Sequence, residues 1–183
     1  MRFLSSAPKL VLVLGLAIVG ASWAGAQTFP LKAKVELSAY GGVEFKAPKW
    51  VVAGPKKGDI AVLRNDAVKG DEAFLILMLT IEEGPAKTPD WELVRKIILS
   101  AAKAKEALLT LALGDDFNEC SGFLGKRMAG RLTVKGTTMS VELIALSQAG
   151  KLVTATLVSG TATPRAKKLV AEVARTATLK TRR

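Results

Sequence analysis

The 183-residue chain contains no histidine. That absence removes the side chain most used for proton transfer near neutral pH and the commonest nitrogen ligand of zinc, and it excludes Ser-His-Asp and Cys-His catalysis outright. Cys120 is the single cysteine, so no disulfide can form within the chain. In an oxidising compartment such a residue either pairs between chains or is buried as a small apolar side chain, and burial is the expected fate. Aromatic residues make up only 5% of the chain, and few fall among the basic positions, which argues against single-stranded nucleic acid as a partner. Trp50 and Trp91 are expected in the core rather than on a ligand platform. No phosphate loop is present, since Gly122-x-x-Gly125-Lys126 has neither the spacing nor the hydroxyl after lysine. There is no internal repeat and no low-complexity segment. Nothing calls for a cofactor.

What is present begins with Arg2 and Lys9, an apolar run from Leu10 to Ala24, and Ala24-Gly25-Ala26 before Gln27. These are the three parts of a secretory signal peptide over residues 1–26. The run is short for a membrane span, which takes about 20 apolar residues, so an uncleaved anchor is the alternative and cleavage near Ala26 the expectation. No cysteine at the cleavage site offers lipid attachment, and one arginine ahead of the run points to ordinary secretion. The expected product is an exported, periplasmic or extracellular protein, soluble and without a transmembrane span, with one globular domain over residues 27–183.

The charge of this mature region is unevenly spread. Residues 27–58 carry +4, residues 59–119 carry −5, and residues 120–183 carry +10. A basic final third draws anionic partners in a salt-sensitive way. For an exported chain those are an envelope protein, anionic lipid or anionic polymer, with nucleic acid disfavoured.

The longest sheet-like stretch is Arg127 to Ser159. It reads as strands over Arg127–Lys135, Thr137–Gln148 and Lys151–Ser159, hinged at Gly136 and at Ala149-Gly150, where glycine supplies a positive φ. A two-residue turn at Ala149-Gly150 sets Gln148 opposite Lys151. Ile144 and Leu146 then share one face with Val153 and Ala155, while Val141, Leu143 and Ala145 meet Thr154, Thr156 and Val158 on the other. Both faces are apolar, which calls for a covering layer on each. Earlier in the chain, Val43 to Lys46 alternates like a half-buried strand until Pro48. Ile60–Leu63 reads as a short strand, and Ala73–Ile81 as a central one in which only Thr80 is polar. Thr88-Pro89-Asp90 opens a helix with Trp91, Val94, Ile98 and Ala101 inward and a Glu92 to Lys96 pair outward. Ala107–Leu113 fits either more helix or a strand. Thr163-Pro164 opens a last helix with Ala166, Leu169, Val170, Val173 and Ala177 inward, and residues 180–183 form a basic tail expected to be mobile. The fold class is α+β: a mostly antiparallel β-sheet covered by helices on both faces, an α/β/α sandwich.

That order of elements resembles the PsbP-like fold of the extrinsic lumenal photosystem II subunits, the Ran-binding MOG proteins and the DcrB-type bacterial envelope proteins. The resemblance rests on Phe45-Lys46-Ala47-Pro48-Lys49-Trp50, on Gly125 to Leu132, and on the Gly150 hairpin followed by the final helix. It covers nearly the whole mature chain and implies a non-catalytic binding or assembly factor. No photosystem-binding or Ran-binding segment matches residue by residue, so those partners do not carry over.

Two clusters remain. Lys126, Arg127, Arg131 and Lys135, with Arg165, Lys168 and Arg175 of the last helix, form a candidate surface for an anionic partner. Arg127, Arg131 and Lys135 share parity and so one side of a regular strand. Equally, they could be the charges that keep an edge strand soluble. Asp115, Asp116 and Glu119 are the only dense acidic group. They are solvated loop acids, a carboxylate pair for hydrolysis, or a weak metal site whose Asp116-x-Asn118 start lacks the glycine and final glutamate of a calcium loop. The sequence favours a non-enzymatic binding or assembly protein of the bacterial cell envelope over a carboxylate-based hydrolase of an envelope polymer or a purely structural oligomerising subunit.

Overall fold

The computed structural model describes residues 29–52, 58–65, 75–86 and 88–180. The expected signal segment, residues 1–26, and residues 181–183 lie outside this range. The fold is α+β and mostly antiparallel sheet, with two α-helices among the described residues. Its strands are β1 (Ala33–Leu37), β2 (Val43–Ala47), β3 (Val51–Val52), β4 (Ile60–Arg64), β5 (Leu75–Glu83), β6 (Leu108–Asp116), β7 (Leu124–Val134), β8 (Thr137–Gln148), β9 (Lys151–Ser159) and β10 (Thr178–Leu179). Helix α1 spans Trp91–Lys103 and α2 spans Pro164–Arg175.

Seven strands form the main sheet in the order β3-β4-β5-β9-β8-β7-β6. The meander stands as expected: Gln148 pairs with Lys151, Ile144 with Ala155 and Leu146 with Val153. Ala149 and Gly150 both take positive φ, 50° and 72°, the turn geometry that matches the twist of the strands it joins. Of Ala107–Leu113, all but Ala107 resolve into strand, as most of β6. That makes β6 the edge and puts β7 inside, hydrogen-bonded to β6 and β8. The cations of β7 therefore do not guard an edge strand. Lys135 leaves the strand altogether and sits in the β7–β8 turn with φ 49°.

Alternation along β5 divides the buried residues into two clusters. Leu75, Leu77, Leu79 and Ile81 join Ile144 and Leu146 of β8, Val153, Ala155 and Leu157 of β9, and Leu169, Val170 and Val173 of α2. Ile76 and Met78 join Leu143 of β8, Leu109 and Leu111 of β6, and Val94, Ile98 and Ala102 of α1. Thr80, the one polar residue within that central run, meets Thr154 of β9 at 2.7 Å, so two buried hydroxyls satisfy each other.

Both helices start on side-chain caps. Thr163 accepts from the Ala166 amide at 3.1 Å, as its sequence signal predicts. In α1 the cap is Asp90, which accepts from Leu93, rather than the Thr88 hydroxyl; Pro89 precedes the cap. The outward partner of Glu92 is Arg95, at 2.8 Å, and not Lys96. Trp91 and Trp50 are half-buried against the two clusters, Trp50 edge-on to Phe29.

In a second sheet, β1-β2-β10, only β2 has a counterpart in the sequence, the alternation of Val43 to Lys46. The sheet forms because the chain turns back after α2. Thr176 Oγ1 accepts from the Lys46 amide at 2.8 Å, and Thr178 then pairs with Glu44. Lys180 ion-pairs with Glu36 and its amide donates to the Gly42 carbonyl, so the basic tail is anchored at least that far.

Candidate functional site

Helix α2 lies against β8 and β9. Beyond it, where β6 and β7 continue the same face, opens a groove of about 470 Å³ lined by Ala112, Gly114, Arg127, Ala129, Glu142 and Lys167 among others. The register sets Ala112 opposite Ala129, two small side chains that leave room on the groove's floor, and Ala129 in turn pairs with Glu142. Paired residues share a face, so Arg127 (opposite Ile144), Ala129 and Arg131 (opposite Ser140) all stand on the α2 side, as their parity predicts.

A tight loop shapes one end. Phe117 is fully buried, and its amide donates to the Gly125 carbonyl at 2.9 Å. A Cβ at Gly125 would sit 2.4 Å from the Phe117 carbonyl oxygen, so only glycine permits this approach. The loop delivers Glu119 to Arg127, at 2.7 Å, and to Arg175, whose guanidinium it also accepts from. The Arg175 hydrogen bond, backed by Arg127, holds the Glu119 carboxyl below its usual range. Arg127 also lies over the Phe117 ring, 4.8 Å from its centre. Cys120 is buried beside this loop, and burial raises its thiol pKa.

The expected cationic set therefore divides. Lys126 is held by Asp116 at 2.9 Å, Arg127 and Arg175 by Glu119, and Lys168 by Glu172 at 3.9 Å across one helical turn. Arg165 stacks on the Phe29 ring at 4.3 Å. Arg131 and Lys135 are exposed, and neither is in an ion pair among the described residues. The acids divide likewise. Asp116 and Glu119 are taken up by cations, and Asp115 stands exposed on the groove wall. Among the described residues no three acidic or cysteine side chains gather to hold a metal.

Glu142 was not anticipated. It is 8% exposed, and its one ion pair among the described residues is with Lys167, 4.0 Å away. Burial pushes its carboxyl pKa up, against the pull of Lys167 and Arg127. A signal existed in the sequence: Glu142 and Glu172 are the only acids after Glu119, and Glu142 interrupts an otherwise apolar Val141–Leu146.

No protein-family model matches the chain, and no curated protein matches it. Solved structures do. The solution structure of cyanobacterial PsbP (CyanoP) from Synechocystis sp. PCC 6803 aligns with a TM-score of 0.52 at 22% identity, over 87% of this chain and 98% of that one. The crystal structure of the Ran-binding protein Mog1p of Saccharomyces cerevisiae aligns with a TM-score of 0.52 at 11% identity, over 80% of this chain and 95% of that one. The chain has the PsbP/Mog1 fold. On this PsbP/Mog1 scaffold, the groove beside α2 and the cations around it are the most chemically furnished part of the described surface. No described helix is long and apolar enough to cross a membrane.

Proposed function

We propose that this chain is a non-enzymatic accessory or binding protein of the bacterial cell envelope, exported by residues 1–26, which meets an anionic partner through the basic α2 side of its sheet. The observation that carries the reading is the placement of charge. Arg131 and Lys135 extend outward, unpaired among the described residues, from a region whose neighbouring cations are already neutralised; beside them α2 exposes Lys167 and Lys168, each held only at long range, by Glu142 at 4.0 Å and by Glu172 at 3.9 Å. Charges left over after local pairing are the ones that can contribute to a partner's field. The layering supports it too. Opposite parities of β5 pack with α1 and with α2, which we read as an α/β/α sandwich with a helix over each face, leaving the basic end of the α2 side open. The similarity to Mog1p, a Ran-binding protein, and to PsbP is in keeping with a binding scaffold. A carboxylate-based hydrolase is not favoured, because Asp116 and Glu119 are occupied by Lys126, Arg127 and Arg175.

The test is cosedimentation with vesicles containing phosphatidylglycerol, beside retention on a soluble anionic polymer, at low and high salt. Binding to either that is lost at high salt, and weakened by Arg131→Glu with Lys168→Glu, supports the reading and tells lipid from polymer. Absence of binding to both at low salt overturns it.

A further inference from the structure

The groove beside α2 holds a feature that a purely cationic surface does not require. Glu142 is a nearly buried carboxylate in the middle of β8, opening onto a cavity of about 470 Å³, a volume within the range of small-molecule sites. No described donor lies within hydrogen-bond distance of it; Lys167 Nζ stops at 4.0 Å. A carboxylate accepts several hydrogen bonds, and this one opens onto a space where water or a ligand supplies them.

The wall around Glu142 selects among ligands by charge. Arg127 and Lys167 flank it, and Asp115 stands at the opening. A simple anion would be drawn chiefly to Lys167, since Arg127 is already shared with Glu119, but would have to enter beside Glu142. A simple cation would reach Glu142 but face both basic groups. A molecule carrying one charge of each sign meets neither penalty. The remaining lining, Ile144 and Val170 with Ala112 and Ala129, is apolar and takes a hydrocarbon body.

We infer that this groove is a binding site for a small zwitterion of the amino-acid or dipeptide class, its ammonium donating to Glu142 and its carboxylate lying toward Lys167 and Arg127. The inference goes beyond the partner-binding surface proposed above, since it places a separate ligand in a cavity whose key residue is acidic.

The test uses three probes of matched hydrocarbon body: leucine, its decarboxylated analogue 3-methylbutylamine, and its deaminated analogue 4-methylpentanoate. Amide NMR titration of the purified protein gives an affinity and a location for each. Leucine should bind tightest, with shifts centred on Ala129, Glu142 and Val170. Glu142→Gln, nearly the same shape, should weaken leucine and the amine about tenfold and leave the carboxylate within about twofold. Ala112→Leu, which fills the floor from an exposed position on β6, should abolish binding of all three. Equal binding of the three probes, leucine binding unchanged in Glu142→Gln, or no shifts in the groove at saturating leucine would each overturn the inference. Arg131→Glu with Lys168→Glu should leave leucine binding intact, which separates this site from the surface reading.

Discussion

Truncating two neighbouring residues of β5 measures how the sheet is covered. Leu77 and Met78 are adjacent in sequence, about equally buried at 0% and 1% exposure, and belong to different clusters, Leu77 with α2 and Met78 with α1. In a sheet covered on one face only, one of the pair would be close to solvent and cheap to remove. Each is flanked by both neighbouring strands, Leu77 pairing with Leu63 and Leu157 and Met78 with Val62 and Thr156, and each belongs to a buried cluster that includes residues of one helix. Replacing either with alanine deletes roughly three heavy atoms' worth of buried side chain. The transfer loss is about 0.8 kcal/mol per methylene. With the cavity left behind, each change should cost about 2–5 kcal/mol. For a domain of this size about 1 kcal/mol moves Tm by roughly 2–4 °C, so both variants should melt several degrees lower or more, and by comparable amounts. Urea unfolding followed by circular dichroism gives the same comparison as free energies. A cost below about 0.5 kcal/mol for one of them, the level of a surface substitution, would mean that its face lacks the helix we assign to it.

The two perturbed glutamates should respond to pH in opposite directions. Glu142 has a folded pKa raised above its ordinary 4.5 by burial, so its contribution is fully present below that value and is lost as pH rises through the raised one. Glu142→Gln should therefore raise Tm at neutral pH and make little difference near pH 4, as melting curves across that range would register. Glu119 has a folded pKa lowered chiefly by Arg175, so its contribution is present above 4.5 and is lost as pH falls through the lowered value. Glu119→Gln should cost at most about 1 kcal/mol at neutral pH, given its exposure, with the deficit shrinking in acid. Gly125→Ala should cost about 1–3 kcal/mol by forcing the Phe117 carbonyl aside; an NMR spectrum with unshifted Phe117 and Glu119 amides would contradict that.

How much of this could be seen in the chain beforehand depended on how local the determining interaction was. The β8–β9 register follows from one turn and a period of two, both written within Thr137–Ser159. Helix α2 announces itself through Thr163 and Pro164. Strand β6 was ambiguous because Leu109, Leu111 and Leu113 give alternation without a flanking turn signal, and only pairing with β7 decides it. The alternation of Val43 to Lys46 marked β2, but its pairing into the β1-β2-β10 sheet was invisible, since Thr178 and Leu179 owe their conformation to Glu44 and Val43 more than a hundred residues away. At the site, parity placed Arg127 and Arg131 on one side of the sheet. Their different fates depend on a loop that brings Glu119 to Arg127 and Arg175, a non-local event that charge counting does not register. Glu142 was overlooked because a lone carboxylate within a strand looks like an outward-facing residue until the position of α2 is known.

The partner surface itself is most directly tested by NMR mapping of the protein titrated with phosphatidylglycerol bicelles or an anionic polymer at low salt. The account predicts shifts gathered on Arg131, Lys135, Lys167 and Lys168 that reverse when salt is added. Shifts centred instead on the exposed Val51 and Val52 at the opposite edge of the sheet, or shifts that persist at high salt, would contradict it.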